Sequence, residues 1–280
     1  FGYYSCKNKT DVSEDVSKIQ INLAVIRFDR QFAEAKPEDI SVLKNKFPYL
    51  FPKQYSDSVW IARLNDTLQK ELYNEVNAEF PNFAKETVDL ELLFKHIVYY
   101  FPDYKVPKVI TVISDVDYSN RVILADTLLL IGLDNYLGKD HRFYGGIEQY
   151  IAAGLDKDYL MSDVASAFSK TKIRFPSDRT FLAQMIYYGK ELYLKDKLMP
   201  PASDAQKIVY TDEDLEWARA NEEQIWRYFI EREILYSTDN MLAPRFLDPA
   251  PFSKFRLELD NESPGRLGRY MGWQIVRAFM

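Results

Sequence analysis

Cysteine occurs once in the 280 residues, at Cys6, and histidine twice, at His96 and His141. A single thiol excludes an intrachain disulfide and any cysteine-based structural zinc site. Two histidines far apart in sequence exclude an H-E-x-x-H helix, where the imidazoles must stand four residues apart to share one face. Long apolar runs are missing too. A membrane span needs ~20 consecutive apolar residues, and the longest candidate, Val122 to Leu133, is broken by Asp126. Positive charge is not in excess: 36 Lys and Arg face 42 Asp and Glu, a formal net charge of −6. No Lys/Arg-dense face stands out, which argues against a nucleic-acid partner. The sequence contains neither a G-x-G-x-x-G or Walker-type phosphate loop nor a G-x-S-x-G nucleophile elbow.

What is present is an ordinary globular mixture, 47% hydrophobic and 28% charged, with a high aromatic load of 20 Tyr, 18 Phe and 4 Trp. Most of those rings belong in a core, leaving some tyrosines to line a groove. Exposed in a row, Trp60, Trp217, Trp226 and Trp273 would instead suit a glycan- or peptidoglycan-binding module. The surroundings of Cys6 are the more informative feature. Small Ser5 precedes it and a polar run, Lys7 to Ser17, follows, as at the processing site of a bacterial lipoprotein. On that reading the lipid sits on Cys6, residues 1–5 are a signal-peptide remnant, and 7–17 form a disordered tether. Membrane attachment would then come through Cys6 alone, and Lys7 fits either membrane. Residues 18–280 are expected to be one domain.

Along that body Ile19, Ile21, Leu23 and Val25 alternate as in a strand, which breaks at Arg27-Phe28-Asp29. Pro37, Glu38 and Asp39 open a short helix. Ser56 is placed to cap a long amphipathic helix marked by Val59, Trp60, Leu64, Leu68, Leu72 and Val76. A second helix is expected over about 85–100. Short strands follow at 109–113, 122–125 and 128–133, with a turn at Asp115-Val116-Asp117 and Ser119-Asn120. Helices are then expected at about 159–170, 178–197, 212–235 and 265–279, with Thr211 as an N-cap. The fold class is α+β, mostly helical, with a small mixed sheet.

Candidate chemistry is sparse. His96 lies on a helix and His141 in a loop, where packed or surface roles are the default. Asp115, Asp117, Asp126, Asp134, Glu148 and Asp163 are carboxylates that an acid/base pair would draw on, but spacing does not bring any two together. Asp115 and Asp117 read as a turn device, because the calcium-loop pattern is not completed.

The segments 128–138 (containing Asn135-Tyr136), 185–196, 210–239, 250–255 and 263–280, with Arg27-Phe28-Asp29 and Cys6, resemble the gliding motility lipoproteins of the GldB family of Bacteroidetes. That family is in turn similar to zincin-like metallopeptidases. The resemblance implies a zincin-like domain, a place on the periplasmic side of the cell envelope, other gliding and secretion-system proteins as partners, and no cofactor. It also lays Asp163-Val164-Ala165-Ser166-Ala167 over the H-E-x-x-H helix and Tyr188-Gly189 over an E-G motif. Val164 cannot act as a general base and Ala167 cannot bind zinc, so peptidase chemistry is expected to be lost. What remains is expected to be a scaffold with a partner-binding groove near Asp163, Tyr187, Tyr188 and Tyr193, rimmed by Asp134, where a peptide adds to a sheet edge. Gly268 and Gly272, with Gly189, are expected to let helices approach closely. The competing reading is an active metal-dependent or carboxylate hydrolase with another site.

Overall fold

The computed structural model describes residues 9–256 and 260–280, so Cys6 lies outside the described residues. From Lys9 the expected tether is helical: α1 spans Lys9–Lys18. Val16 is buried and Lys18 bonds Glu14 one turn back at 2.7 Å. Only Val12 and Val16, four apart, mark its apolar face, too little for the pattern to stand out.

Four strands form one sheet in the order β1-β2-β4-β3. β1 (Val25–Arg27) and β2 (Lys108–Val112) pair in parallel, with Val25 opposite Val109. The alternating residues before Val25 find no strand partner, so β1 is shorter than its pattern. β4 (Leu128–Gly132) is parallel to β2, and β3 (Val122–Ala125) closes the edge antiparallel to β4. The β3–β4 turn is Asp126-Thr127, with Asp126 at a left-handed φ of 43°, as two-residue hairpins demand. Val109, Leu129 and Ile131 face one core and Ile110 faces another, the period-two alternation of a sheet covered on both sides.

Five helices connect β1 to β2: α2 (Phe28–Ala33), α3 (Ile40–Lys46), α4 (Asp57–Asn65), α5 (Thr67–Glu79) and α6 (Ala84–Tyr100). The long helix expected from Ser56 is thus two. Asp66 leaves the helical conformation (ψ 129°) and caps α5, accepting from the Gln69 amide. Leu64 and Leu68 keep their helical spacing across this break, which is why periodicity alone runs through it. Ser56 stands at the N-cap of α4 without a side-chain cap bond.

After β4 come α7 (Gln149–Ala152), α8 (Leu160–Lys172), α9 (Phe181–Leu198), α10 (Asp204–Ile208), α11 (Asp212–Ala220), α12 (Glu222–Glu231), α13 (Leu242–Phe246) and α14 (Leu267–Phe279). Thr211 caps α11 in a reciprocal box with Asp214. The helix expected over 212–235 divides at Asn221, whose side-chain amide turns back to the Trp217 carbonyl at 2.9 Å. One core joins the sheet to α5, α6 and α8 through Val76, Phe94, Ile97, Val164 and Phe168. A second gathers Phe181, Met185, Phe229, Phe246, Tyr270 and Trp273 around α9 and α14.

The small residues do what their spacing implies. A Cβ on Gly272 would lie inside contact distance of the Met185 carbonyl, and one on Gly189 inside that of the Gly272 carbonyl. The backbones of α9 and α14 therefore touch. A Cβ on Gly268 would meet Leu247 and Phe181 side chains at 2.9 and 3.1 Å, so the same helix seats against the end of α13.

Candidate functional site at the seam of two helices

α8 and α9 pack on each other with polar side chains between them. Asp163 of α8 accepts from Arg121 Nε at 2.6 Å and Nη2 at 2.9 Å, and from the Tyr136 hydroxyl at 2.9 Å. Arg121 stands just before β3, so this pair fastens the edge strand to α8. Burial opposes the charge on Arg121, but the Asp163 carboxylate outweighs it and raises the guanidinium above its usual value. Tyr136 is pushed well above its usual range by burial and then by Asp163. One turn along α8, Ser166 donates to Glu191 of α9 at 2.7 Å.

Deeper in the seam, Lys195 is only 3% exposed. Its ammonium donates to the Ser162 hydroxyl at 2.8 Å and to the Lys207 carbonyl at 2.9 Å. Burial pulls its pKa down to about 8, against the attraction of Glu191 and Asp163. A serine beside an amine is a nucleophile arrangement in some hydrolases, but the proton traffic here is wrong for it. Ser162 is 0% exposed and its own hydroxyl donates to the Lys207 carbonyl at 3.0 Å. The amine donates to the serine rather than drawing a proton from it. The pair is a tie between α8, α9 and α10.

Two more cations close the seam from the C-terminal segment. Arg269 lies over the Tyr188 ring, 3.9 Å from its centre, and donates to the Leu247 carbonyl. Arg266 donates to the Val209 carbonyl at 2.6 Å, and burial depresses its pKa. Both repel Lys195. The seam thus holds more positive than negative charge, a setting that favours acidic side chains or carboxylates over bases.

The expected groove residues divide. Asp163 and Tyr188 belong to this seam. Tyr187 turns to the aromatic neighbours Phe175 and Tyr188, 4.9 and 5.1 Å between ring centres. Tyr193 packs under Lys197 at 4.9 Å. Asp134 is no rim residue: it is 0% exposed and accepts from the Ser114 and Val116 amides at 2.9 and 2.6 Å, holding that loop. Burial raises its pKa against those hydrogen bonds. Arg121, Glu191 and Lys195 were not singled out by sequence reasoning. Only the shared face of Tyr188, Glu191 and Lys195 along α9 signals them.

The other candidates lie elsewhere. His96 is buried, its Nδ1 2.9 Å from the Leu92 carbonyl, and burial lowers its pKa. His141 Nε2 is 3.5 Å from Glu75. Asp115 holds Arg63 at 2.7 and 2.8 Å, and Asp117 accepts from Asn120. No row of exposed tryptophans forms, because Trp273 is buried and Trp60, Trp217 and Trp226 are half-buried. Among the described residues no three His, Cys, Asp or Glu side chains converge as metal ligands would.

The model of the family described as gliding motility protein GldB matches the chain over residues 9–280. The chain belongs to that family. Neither a curated protein nor a solved structure shows significant similarity to it. The GldB fold seen here is α+β with a small mixed sheet, and its relation to zincin-like peptidases finds no support in these comparisons. As a GldB-family member the protein is a component of gliding motility. No helix among its described residues is long and apolar enough to cross a membrane.

Proposed function

We propose that this GldB-family protein is a non-catalytic binding component of the gliding machinery, held at the periplasmic face of the cell envelope by a lipid on Cys6. Its partners would be other gliding and secretion-system proteins, docked along the α8–α9 seam and the edge of β3. The observation that carries this reading is the engagement of the seam's polar groups with one another. A general base needs a lone pair directed at the substrate or at a water it activates. Here Asp163 is committed to Arg121 and Tyr136, and Glu191 to Ser166. The half-buried Arg266 and Arg269 favour an acidic partner segment, and β3, last in the sheet order among the described residues, offers it an edge with Ile123 exposed beside it. Edge strands left open in this way are natural templates for an added strand.

Two measurements test it. Cys6→Ser is expected to move the protein from the membrane to the soluble envelope fraction, and unchanged fractionation would count against the anchor. Metal content of the full chain, purified without a metal-affinity tag, is expected to be far below one equivalent. Near-stoichiometric zinc would overturn the non-catalytic reading.

A further inference from the structure

A cleft of about 330 Å³ opens beside the carboxyl ends of β1 and β2, away from the α8–α9 seam. Its walls come from separate stretches of the chain. Phe28 follows β1 directly, Phe32 and Ala33 lie on α2, Trp60 and Leu64 on α4, and Val112 ends β2. Crevices at the carboxyl ends of parallel strands are where open α/β sheets hold small ligands. The walls are aromatic and braced: Trp60 stands edge-on to Phe51 at 4.7 Å and to Phe32 at 6.2 Å. Such rings do not collapse to fill a void without leaving their packing, so the cleft persists as a preformed apolar space.

Arg63, Gln69, Lys70 and Tyr73 border the cleft. Arg63 and Gln69 are both held by Asp115, and Tyr73 donates to Glu34 at 3.2 Å. Lys70 is different: among the described residues its ammonium has no carboxylate, hydroxyl or ring partner. It sits in the first turn of the 13-residue α5, one turn on from the capping Asp66. Asp29, the carboxylate in the wall, offers nothing to a ligand, since it is fully buried and bound by Arg27 and Thr111. The cleft is therefore lined mainly by apolar side chains, and Lys70 is the bordering cation left without a partner among the described residues.

We propose that this cleft binds a single-chain anionic amphiphile, with its apolar body against Phe32, Trp60 and Leu64 and its anionic head at Lys70. At roughly 30 Å³ per water-sized volume the cleft admits on the order of ten non-hydrogen atoms, the size of a medium-length acyl chain.

The test is calorimetric titration of the full chain with decanoate, decanol and decyltrimethylammonium. Decanoate is expected to bind one to one, at least tenfold tighter than either of the others. Lys70→Glu, an exposed substitution that leaves the walls intact, is expected to weaken decanoate tenfold or more and to favour the cationic probe. Ala33→Trp, which fills the cleft, is expected to abolish binding of all three. Equal affinity for the three heads overturns the anionic preference. Binding that survives Ala33→Trp in a folded variant, or no saturable binding of decanoate to the wild type, overturns the site.

Discussion

An ammonium inside a protein costs free energy unless its hydrogen bonds compensate it, and Lys195 has two such bonds in place of water. Its pKa of about 8, against an ordinary 10.5, fixes the sign of its effect. Between those values the unfolded chain binds more protons than the folded one, so this residue's contribution rises with pH across pH 8 to 10.5. Below pH 8 its burial is a standing cost. Lys195→Met keeps the length and removes the charge, while Ser162 still satisfies the Lys207 carbonyl. Because desolvation outweighs the attraction of Glu191, 3.8 Å away, and Asp163, the variant is expected to be no less stable than wild type at pH 7, and the gap to wild type should narrow from pH 8 to 10. Urea unfolding at both pH values reads this; a variant destabilised at pH 7 would mean that the amine's hydrogen bonds outweigh its desolvation. None of it was legible in the sequence, where a lysine on an amphipathic helix reads as solvated. Arg121 was hidden for a different reason: it follows a turn, and its partner Asp163 lies on a helix that only the fold brings beside β3.

At the scale of elements, the close approach of α9 and α14 was the most legible. Small residues four apart on α14 and one on α9 imply backbone contact whatever the surrounding fold, because only glycine leaves the room. A Cβ at Gly272 would collide with the Met185 carbonyl, and backbone cannot swing aside as a side chain can. Gly272→Ala is therefore expected to cost about 3 kcal/mol by forcing α9 and α14 apart. Gly146→Ala, whose Cβ would meet nothing within 4 Å, is the control and should stay within about 0.5 kcal/mol of wild type. Equal effects from the two would refute the contact. Helix ends were read less well than helix faces. The breaks at Asp66 and Asn221 sit inside uninterrupted apolar spacing, and capping there depends on which amide the side chain finds, a choice that tertiary packing makes. The groove suffered similarly: Asp134 follows β4, but the loop at Ser114 closes over it and takes it out of reach.

Across the whole molecule, the C-terminal helix is tied to the rest by charge as well as by contact. Asp196 of α9 accepts from Trp273 Nε1 at 3.0 Å, Arg277 Nε at 2.7 Å and Lys207 at 3.0 Å. Asp204 of α10 accepts from Arg277 at 2.8 and 2.9 Å and from Arg219 of α11 at 3.0 Å. Four helices thus share one network, and its acid sensitivity follows from Asp204. The hydrogen bonds from Arg277 bring its pKa down to about 2, from an ordinary 3.8. A carboxylate depressed on folding stabilises the fold above its unfolded value, and that share is lost as pH falls from about 4 towards 2. Asp204 is partly open to solvent, so screening limits its worth to about 1 kcal/mol. Asp204→Asn should then lower the unfolding free energy from urea titration at pH 7 by that amount and converge with wild type near pH 2. Packing in the second core would be unaffected by pH, so a gap that persists at pH 2 would assign the loss to packing rather than to the ion pairs. Convergence would mean that α14, which carries the glycine contact and the seam residue Arg269, is held in place partly by charge.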